Sequence, residues 1–144
     1  MPIRINTAAR NAGLAAILAL IDGGSGAGVL RIYSGSQPAT PATSPSGTKL
    51  AEITLSDPAF GSPNTGSADI DITPALDVDG LATAAAGWCR FCDSTEAAAT
   101  GLGVIDGEVT LTGGGGLITL NTLAISTGVG FLITGGSISQ PASA

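Results

Sequence analysis

The sequence predicts a mainly β protein: an antiparallel β-sandwich or jelly roll with one N-terminal α-helix. Three observations lead there. Apolar and polar residues alternate with a period of two along much of the chain, as in Ala68-Asp69-Ile70-Asp71-Ile72, the pattern of a strand buried on one face. The 22 glycines and 8 prolines cut the chain into short runs and argue against a helical bundle. The strands follow one another with no helical stretch between them, so parallel βαβ units are not expected. A length of 144 residues suits a single domain spanning residues 1–144. Within it the helix covers about residues 6–22 and the sandwich about residues 28–140.

The helix is read from Leu14, Ile17, Leu18 and Ile21, which fall at i, i+3, i+4 and i+7 and form one apolar face. Asn6 or Thr7 suits the cap, and Gly23-Gly24 suits a left-handed stop. These four apolar residues are the candidate packing or interface residues. Arg4 and Arg10 ahead of the apolar stretch Gly13–Ile21 also resemble the start of a signal peptide. Asp22 follows that stretch at once, and Ser25-Gly26-Ala27 is a poor cleavage site, so the helix is the better reading.

After Gly28 the period changes to two. Val29–Tyr33 reads as a strand, with Leu30 and Ile32 on one face and Arg31 on the other. Ser34–Thr48 is a polar loop broken by Pro38, Pro41 and Pro45, and it is a candidate contact arm. Leu50–Leu55 alternates again and ends at Asp57-Pro58. Further strands are expected over Ala68–Thr73, Leu81–Cys92, Gly101–Ile105, Glu108–Leu111, Leu117–Leu120 and Val129–Thr134. Gly113–Gly116 and Gly135-Gly136 are expected as turns.

Composition narrows the function. With no histidine, the chain has no Ser-His-Asp triad, Cys-His dyad or histidine metal site. Five basic residues, Arg4, Arg10, Arg31, Lys49 and Arg90, are scattered against 11 acidic ones, for a net charge of −6. That balance argues against a nucleic-acid partner, because phosphate binding needs clustered cations. No run reaches the length of a membrane span. Only 11% of residues are charged and the mean hydropathy is +0.43, which points to apolar surface covered by further copies of the chain or another protein.

Three motifs carry possible chemistry. Trp88-Cys89-Arg90-Phe91-Cys92 has the WCxxC spacing of thioredoxin-type redox sites, but that chemistry needs a helix N-terminus. On a strand the two cysteines lie about 10 Å apart and point to opposite faces, beyond disulfide reach. They are expected as reduced, packed residues and not as zinc ligands. Asp69, Asp71, Asp77 and Asp79 resemble part of a calcium loop or an acid–base pair, yet the rest of the calcium pattern and an aromatic cleft are missing. They read as solvated strand and turn residues. Gly113–Gly116 has no following lysine or helix and is no phosphate loop. No catalytic, cofactor-binding or metal-binding residue is assigned.

The segments LRIYSGSQPATP (Leu30–Pro41), LAEITLSDPAFG (Leu50–Gly61), GWCRFCDS (Gly87–Ser94) and the stretch Ile105–Pro141 resemble a family of small virion proteins of tailed bacteriophages. The resemblance runs over nearly the whole chain, and its motifs are structural. Asp93-Ser94-Thr95-Glu96 stands where an acidic turn of the Asp-Ser-Asp-Gly kind is expected, and the cysteines at 89 and 92 are also a departure. The resemblance implies a non-enzymatic virion structural protein. Its leading form is a capsid decoration or cement protein on the outer surface of the head, partnered by itself as a homo-oligomer and by the major capsid protein. The alternative is a minor tail or tail-tip protein. A carbohydrate-binding module is a further reading, against which Trp88 and Tyr33 lie within strands.

Overall fold

A computed structural model describes residues 1–95 and 103–143. Helix α1 spans Thr7–Ile21. Asn6 caps it: its backbone is extended, and its side-chain oxygen accepts from the Ala8 N–H at 2.8 Å, satisfying a donor that a helix start leaves open. The helix ends where the Asp22 N–H returns to the Leu18 carbonyl, and the Asp22 carboxylate accepts from the Ala59 N–H at 2.8 Å. Arg10 donates to the Gln140 carbonyl and Asn11 accepts from the Gly66 N–H, each at 2.8 Å, so the first turns clamp the end of the chain's last strand.

Leu14, Leu18 and Ile21 are buried at 1%, 5% and 0% exposure, whereas Ile17 is half-buried. At roughly 100° per residue Ile17 lies about 60° from Leu14, at the rim of the stripe that the other three centre.

Among the described residues nine strands follow: β1 (Val29–Ser34), β2 (Lys49–Thr54), β3 (Ser67–Asp69), β4 (Asp77–Asp79), β5 (Ala84–Cys92), β6 (Ile105–Leu111), β7 (Ile118–Leu120), β8 (Ala124–Ile125) and β9 (Gly130–Ser139). The protein is thus mainly β with one N-terminal helix. The hydrogen-bonded path runs β2-β1-β5-β6-β7-β9-β3, with β4 also on β9 and β8 on β5. The sheet curls until distant strands meet: just beyond β4, the Leu81 N–H donates to the Leu50 carbonyl of edge strand β2 at 2.8 Å. One hydrophobic cluster fills the enclosed space, drawing Leu14, Leu18 and Ile21 from α1 together with Leu30, Phe60, Phe91, Leu120 and Phe131.

Several strand expectations are corrected. The sheet is not wholly antiparallel, because β6 and β7 run parallel, with Val109 opposite Ile118. Parallel neighbours normally need a connection of about a dozen residues. Here Gly113–Gly116 folds the chain tightly back, with Gly113 and Gly115 at positive φ and the Gly116 N–H on the Thr110 hydroxyl at 3.0 Å. A Cβ at Gly114 or Gly116 would lie 2.7 or 2.9 Å from the Thr110 side chain. The glycine run is therefore the device that permits the parallel pair.

Gly113–Gly116 is a turn, as expected, whereas Gly135-Gly136 is not. Both residues continue β9 opposite Thr119 and Ile118, where a Cβ on Gly136 would come 2.5 Å from the Leu117 carbonyl. Of the strand expected over Gly101–Ile105, Gly101 and Leu102 lie outside the described residues. Gly103 and Val104 precede the strand, which runs unbroken through Gly107 to Leu111. The strand expected from Leu81 begins at Ala84, and Asp77–Asp79 forms a separate short strand on β9.

The helix contribution is measurable by urea denaturation. Leu14→Ala should cost about 2–5 kcal/mol, as for a buried leucine leaving a cavity. Ile17→Ala should cost distinctly less, and Leu18→Asp should cost at least several kcal/mol by burying a charge. Equal effects at positions 14 and 17 would mean that the helix does not sit on the core this way.

Candidate functional site

Strands β1 and β5 occupy the middle of the path, and their residues alternate between two faces. Leu30 and Ile32 on β1, with Cys89 and Phe91 on β5, point into the main core. The opposite face carries Arg31, Tyr33, Trp88, Arg90 and Cys92. Arg31 lies opposite Leu30 and Ile32 as the alternation predicts, and all five residues of its face are buried. Register brings Arg31 directly opposite Arg90, an arrangement that like charges disfavour unless each is compensated. Each guanidinium turns outward to a carboxylate on the next strand. Arg31 Nε donates to Glu52 on β2 at 3.0 Å, and Lys49 joins the same oxygen at 2.9 Å. Arg90 makes a bidentate pair with Asp106 on β6, with both contacts at 2.7 Å. The result is a straight row across four strands, Glu52-Arg31-Arg90-Asp106, in the charge order minus, plus, plus, minus.

A second row lies beside it. Tyr33 stacks on Trp88 with centroids 4.6 Å apart and planes 15° from parallel, flanked in register by Lys49 and Glu108. The Arg90 guanidinium sits 5.2 Å from the Trp88 ring centre, a cation–π contact that ties the rows together. The proline-bearing loop covers them. Arg90 Nη1 donates to the Thr43 carbonyl at 2.7 Å, Nη2 to the Thr40 carbonyl at 3.4 Å, and the Gly103 N–H to the Pro41 carbonyl at 3.0 Å. Trp88 Nε1 is buried without a hydrogen-bond partner among the described residues.

Burial pushes the Cys89 thiol well above its ordinary value, and the nearby Asp106 charge pushes it further. Cys89 is fully enclosed in the core, where it packs as a small apolar residue. Cys92 lies on the opposite face, 3.9 Å from Arg31 Nη1, and both cysteines carry thiols instead of a disulfide. The Glu52 carboxyl is held below its usual range, first by the hydrogen bond from Lys49 and, against the opposing effect of burial, by Arg31.

Asp69, Asp71, Asp77 and Asp79 stay apart as strand and turn residues. Asp77 and Asp79 are exposed on β4, and Asp71 accepts from the Thr73 N–H at 2.9 Å in its own turn. Asp69 lines an open groove of about 770 Å³ whose walls are mostly Gly113, Gly115, Gly116, Gly135, Gly136 and Ser137. Among the described residues no three His, Cys, Asp or Glu side chains are placed to hold a metal, and no helix is long and apolar enough to cross a membrane. The sequence reading missed the Arg31–Arg90 face. Its signal was a single arginine inside each of two apolar runs, VLRIY and WCRFC, where a lone charge on a fully buried strand requires a partner.

Asp106→Asn should destabilise the chain by about 3–5 kcal/mol, since it leaves Arg90 charged, buried and without its counter-ion. The Arg90→Met/Asp106→Leu double variant should recover most of that loss in the same urea titration. The Glu52 carboxyl has a lower pKa folded than unfolded, so its contribution is full above the ordinary glutamate range and fades as pH falls through the folded value. Glu52 is 38% exposed, so solvent screening keeps this below about 1 kcal/mol, and Glu52→Gln should flatten the acid limb of a stability–pH curve. Native protein should resist alkylation at Cys89 and Cys92, and both should react after unfolding. A bond between the two sulfurs would contradict the strand.

No protein-family model, no curated protein and no solved structure matches this chain.

Proposed function

We propose that this chain is a non-enzymatic structural protein of a tailed-phage virion, a decoration or cement protein bound as a homo-oligomer to the major capsid protein on the outer surface of the head. The observation that carries the reading is where the reactive side chains go. Arg31, Arg90, Lys49, Glu52 and Asp106 engage one another, Trp88, Tyr33 and Cys92 are buried on the same face, and Cys89 is buried in the core on the other. What this arrangement performs is mechanical: it locks four strands in register and holds a loop over them.

The outer surface supplies contact area. Leu81 and Val129 are 56% and 57% exposed, and they lie next to each other in space because the Gly80 N–H donates to the Val129 carbonyl. Leu132, on the same β9 segment that pairs β4, is also exposed. Exposed large apolar residues near one another suit a surface that another subunit covers. The net charge of −6 suits a position outside the shell, away from packaged DNA, which an acidic protein would be repelled by.

The test is to mix purified protein with heads that lack it and, separately, with tails. Saturable binding to heads, with added resistance to heat, is the expected result, and Leu81→Lys/Val129→Lys should weaken it at least tenfold while leaving the melting curve unchanged. Binding to tails alone would replace this reading with that of a minor tail protein.

A further inference from the structure

Two adjoining hollows lie beside β3. The first is the open groove of about 770 Å³ at Asp69, and the second, of about 310 Å³, shares Asp69 with it and is also lined by Asn64, Thr65 and Ser67. Both volumes fall in the range of about 300–1,000 Å³ that small ligands occupy. The strand period builds the shared wall. Ala68 turns into the core, so Ser67 and Asp69 turn outward, opposite Ser139 and Ser137 of β9. Ser67 links this row, with its hydroxyl 3.0 Å from that of Ser137 and accepting from that of Ser139 at 3.3 Å. Thr119, also in the groove, lies 2.8 Å from the Thr134 hydroxyl. The hydroxyls thus orient one another before any ligand arrives.

Glycine leaves room in front of the main chain. A Cβ at Gly113 or Gly115 would meet nothing within 4 Å, and one at Gly135 would meet only Thr119 Oγ1, at 3.5 Å. A flat ligand can therefore lie directly on peptide groups there.

The lining decides the class of ligand. Neither hollow has a lysine, an arginine or an aromatic ring among its lining residues. Arg10, which packs over Gly66, turns its Nε to the Gln140 carbonyl. Asp69 is exposed, and among the described residues nothing hydrogen-bonds its carboxylate. An anion would be repelled by that charge with no cation to offset it. A cation would gain only one solvent-screened ion pair. A ligand bearing many hydroxyls, by contrast, matches every group present. Its O–H groups donate to Asp69 and the serine oxygens, and its oxygens accept from Asn64, the hydroxyls and glycine N–H groups.

We infer that the groove at Asp69 is a binding site for a neutral saccharide, with Asp69 between two sugar subsites. Ile70 and Ile72 supply the apolar patch for the C–H face of a ring. With no aromatic ring to stack on, the sugar exchanges hydrogen bonds to water for hydrogen bonds to protein, which sets the dissociation constant at about millimolar. The site does not rest on the virion reading above.

The test follows the amide NMR spectrum of the isotope-labelled full chain. It is titrated with the methyl glycosides of glucose, galactose, mannose, rhamnose and N-acetylglucosamine, then with glucuronate and with tetralysine. Saturable shifts at the amides of Asp69, Gly115, Gly135 and Ser137 with at least one neutral glycoside, and none with glucuronate, are the expected result. Asp69→Ala should weaken that binding at least tenfold. Gly135→Val, which places a side chain in the groove, should abolish it. Both variants should melt like the wild type, since the Asp69 carboxylate holds no described residue and a Cβ at position 135 makes an ordinary contact. Should Gly135→Val fail to fold, the Asp69→Ala titration decides. No shift at these amides with any of the neutral glycosides at tens of millimolar overturns the site, and so does binding that Asp69→Ala leaves unchanged. Shifts with tetralysine alone would replace the saccharide by a basic peptide and overturn the proposal as well.

Discussion

Two arginines face each other at the centre of the sheet, and the way their charges are balanced decides what the rest of the structure has to supply. Arg31 and Arg90 lie in register on β1 and β5, both buried, so neither is compensated by water. Glu52 on β2 answers one and Asp106 on β6 answers the other. A shift of either outer strand by one residue would send its carboxylate to the wrong face and strand a buried cation. The charge row thereby sets the register of four strands. The apolar face behind it would tolerate several alternatives, because hydrophobic packing is less directional than an ion pair.

The same burial creates a need for cover. A strand pair hidden on both faces requires something over each of them. Helix α1 and the curled remainder of the sheet cover one face with Leu14, Leu18, Ile21 and Phe60. The proline-bearing loop contributes to covering the other, and does so mainly with carbonyls, which suit the guanidinium of Arg90 better than apolar side chains would. The two coverings differ in kind. The first is a hydrophobic core and is continuous with the fold. The second is a polar loop held mainly through main-chain carbonyls.

Glycine has a constructive role at the other end of the sheet. The turn at Gly113–Gly116 lets β7 lie parallel to β6 after only six residues, and Gly135-Gly136 lets β9 pass close to the backbone before β7. The resulting surface is flat and poor in side chains, with Asp69 as the charged residue of its open groove. A chain whose buried charges answer one another, and whose outside carries scattered carboxylates among threonine, serine, glycine and a few exposed leucines, is suited to lying against other protein surfaces. That physical character underlies the proposed structural role in a virion.

The class of fold was legible in the sequence because period-two alternation and a single 3.6-period stretch are local properties. The helix, its Asn6 cap and the strands around Val29–Tyr33 and Leu50–Leu55 all follow from neighbours within a few residues. The reading of Trp88–Cys92 as strand also followed locally, since nothing there starts a helix, and so did the separation of the two cysteines onto opposite faces. What the sequence could not show was how many faces of a strand are buried. VLRIY reads as one-sided when Arg31 is taken for a solvated residue, and only the arrival of Glu52, Cys92 and the covering loop from distant positions makes it two-sided. The parallel β6–β7 pair was hidden for the same reason: a glycine run is compatible with a hairpin or a fold-back, and the partner strands choose between them. Local sequence determined which segments extend or coil. Tertiary structure decided which of them meet, because pairing energy depends on residues that the chain brings together from far apart.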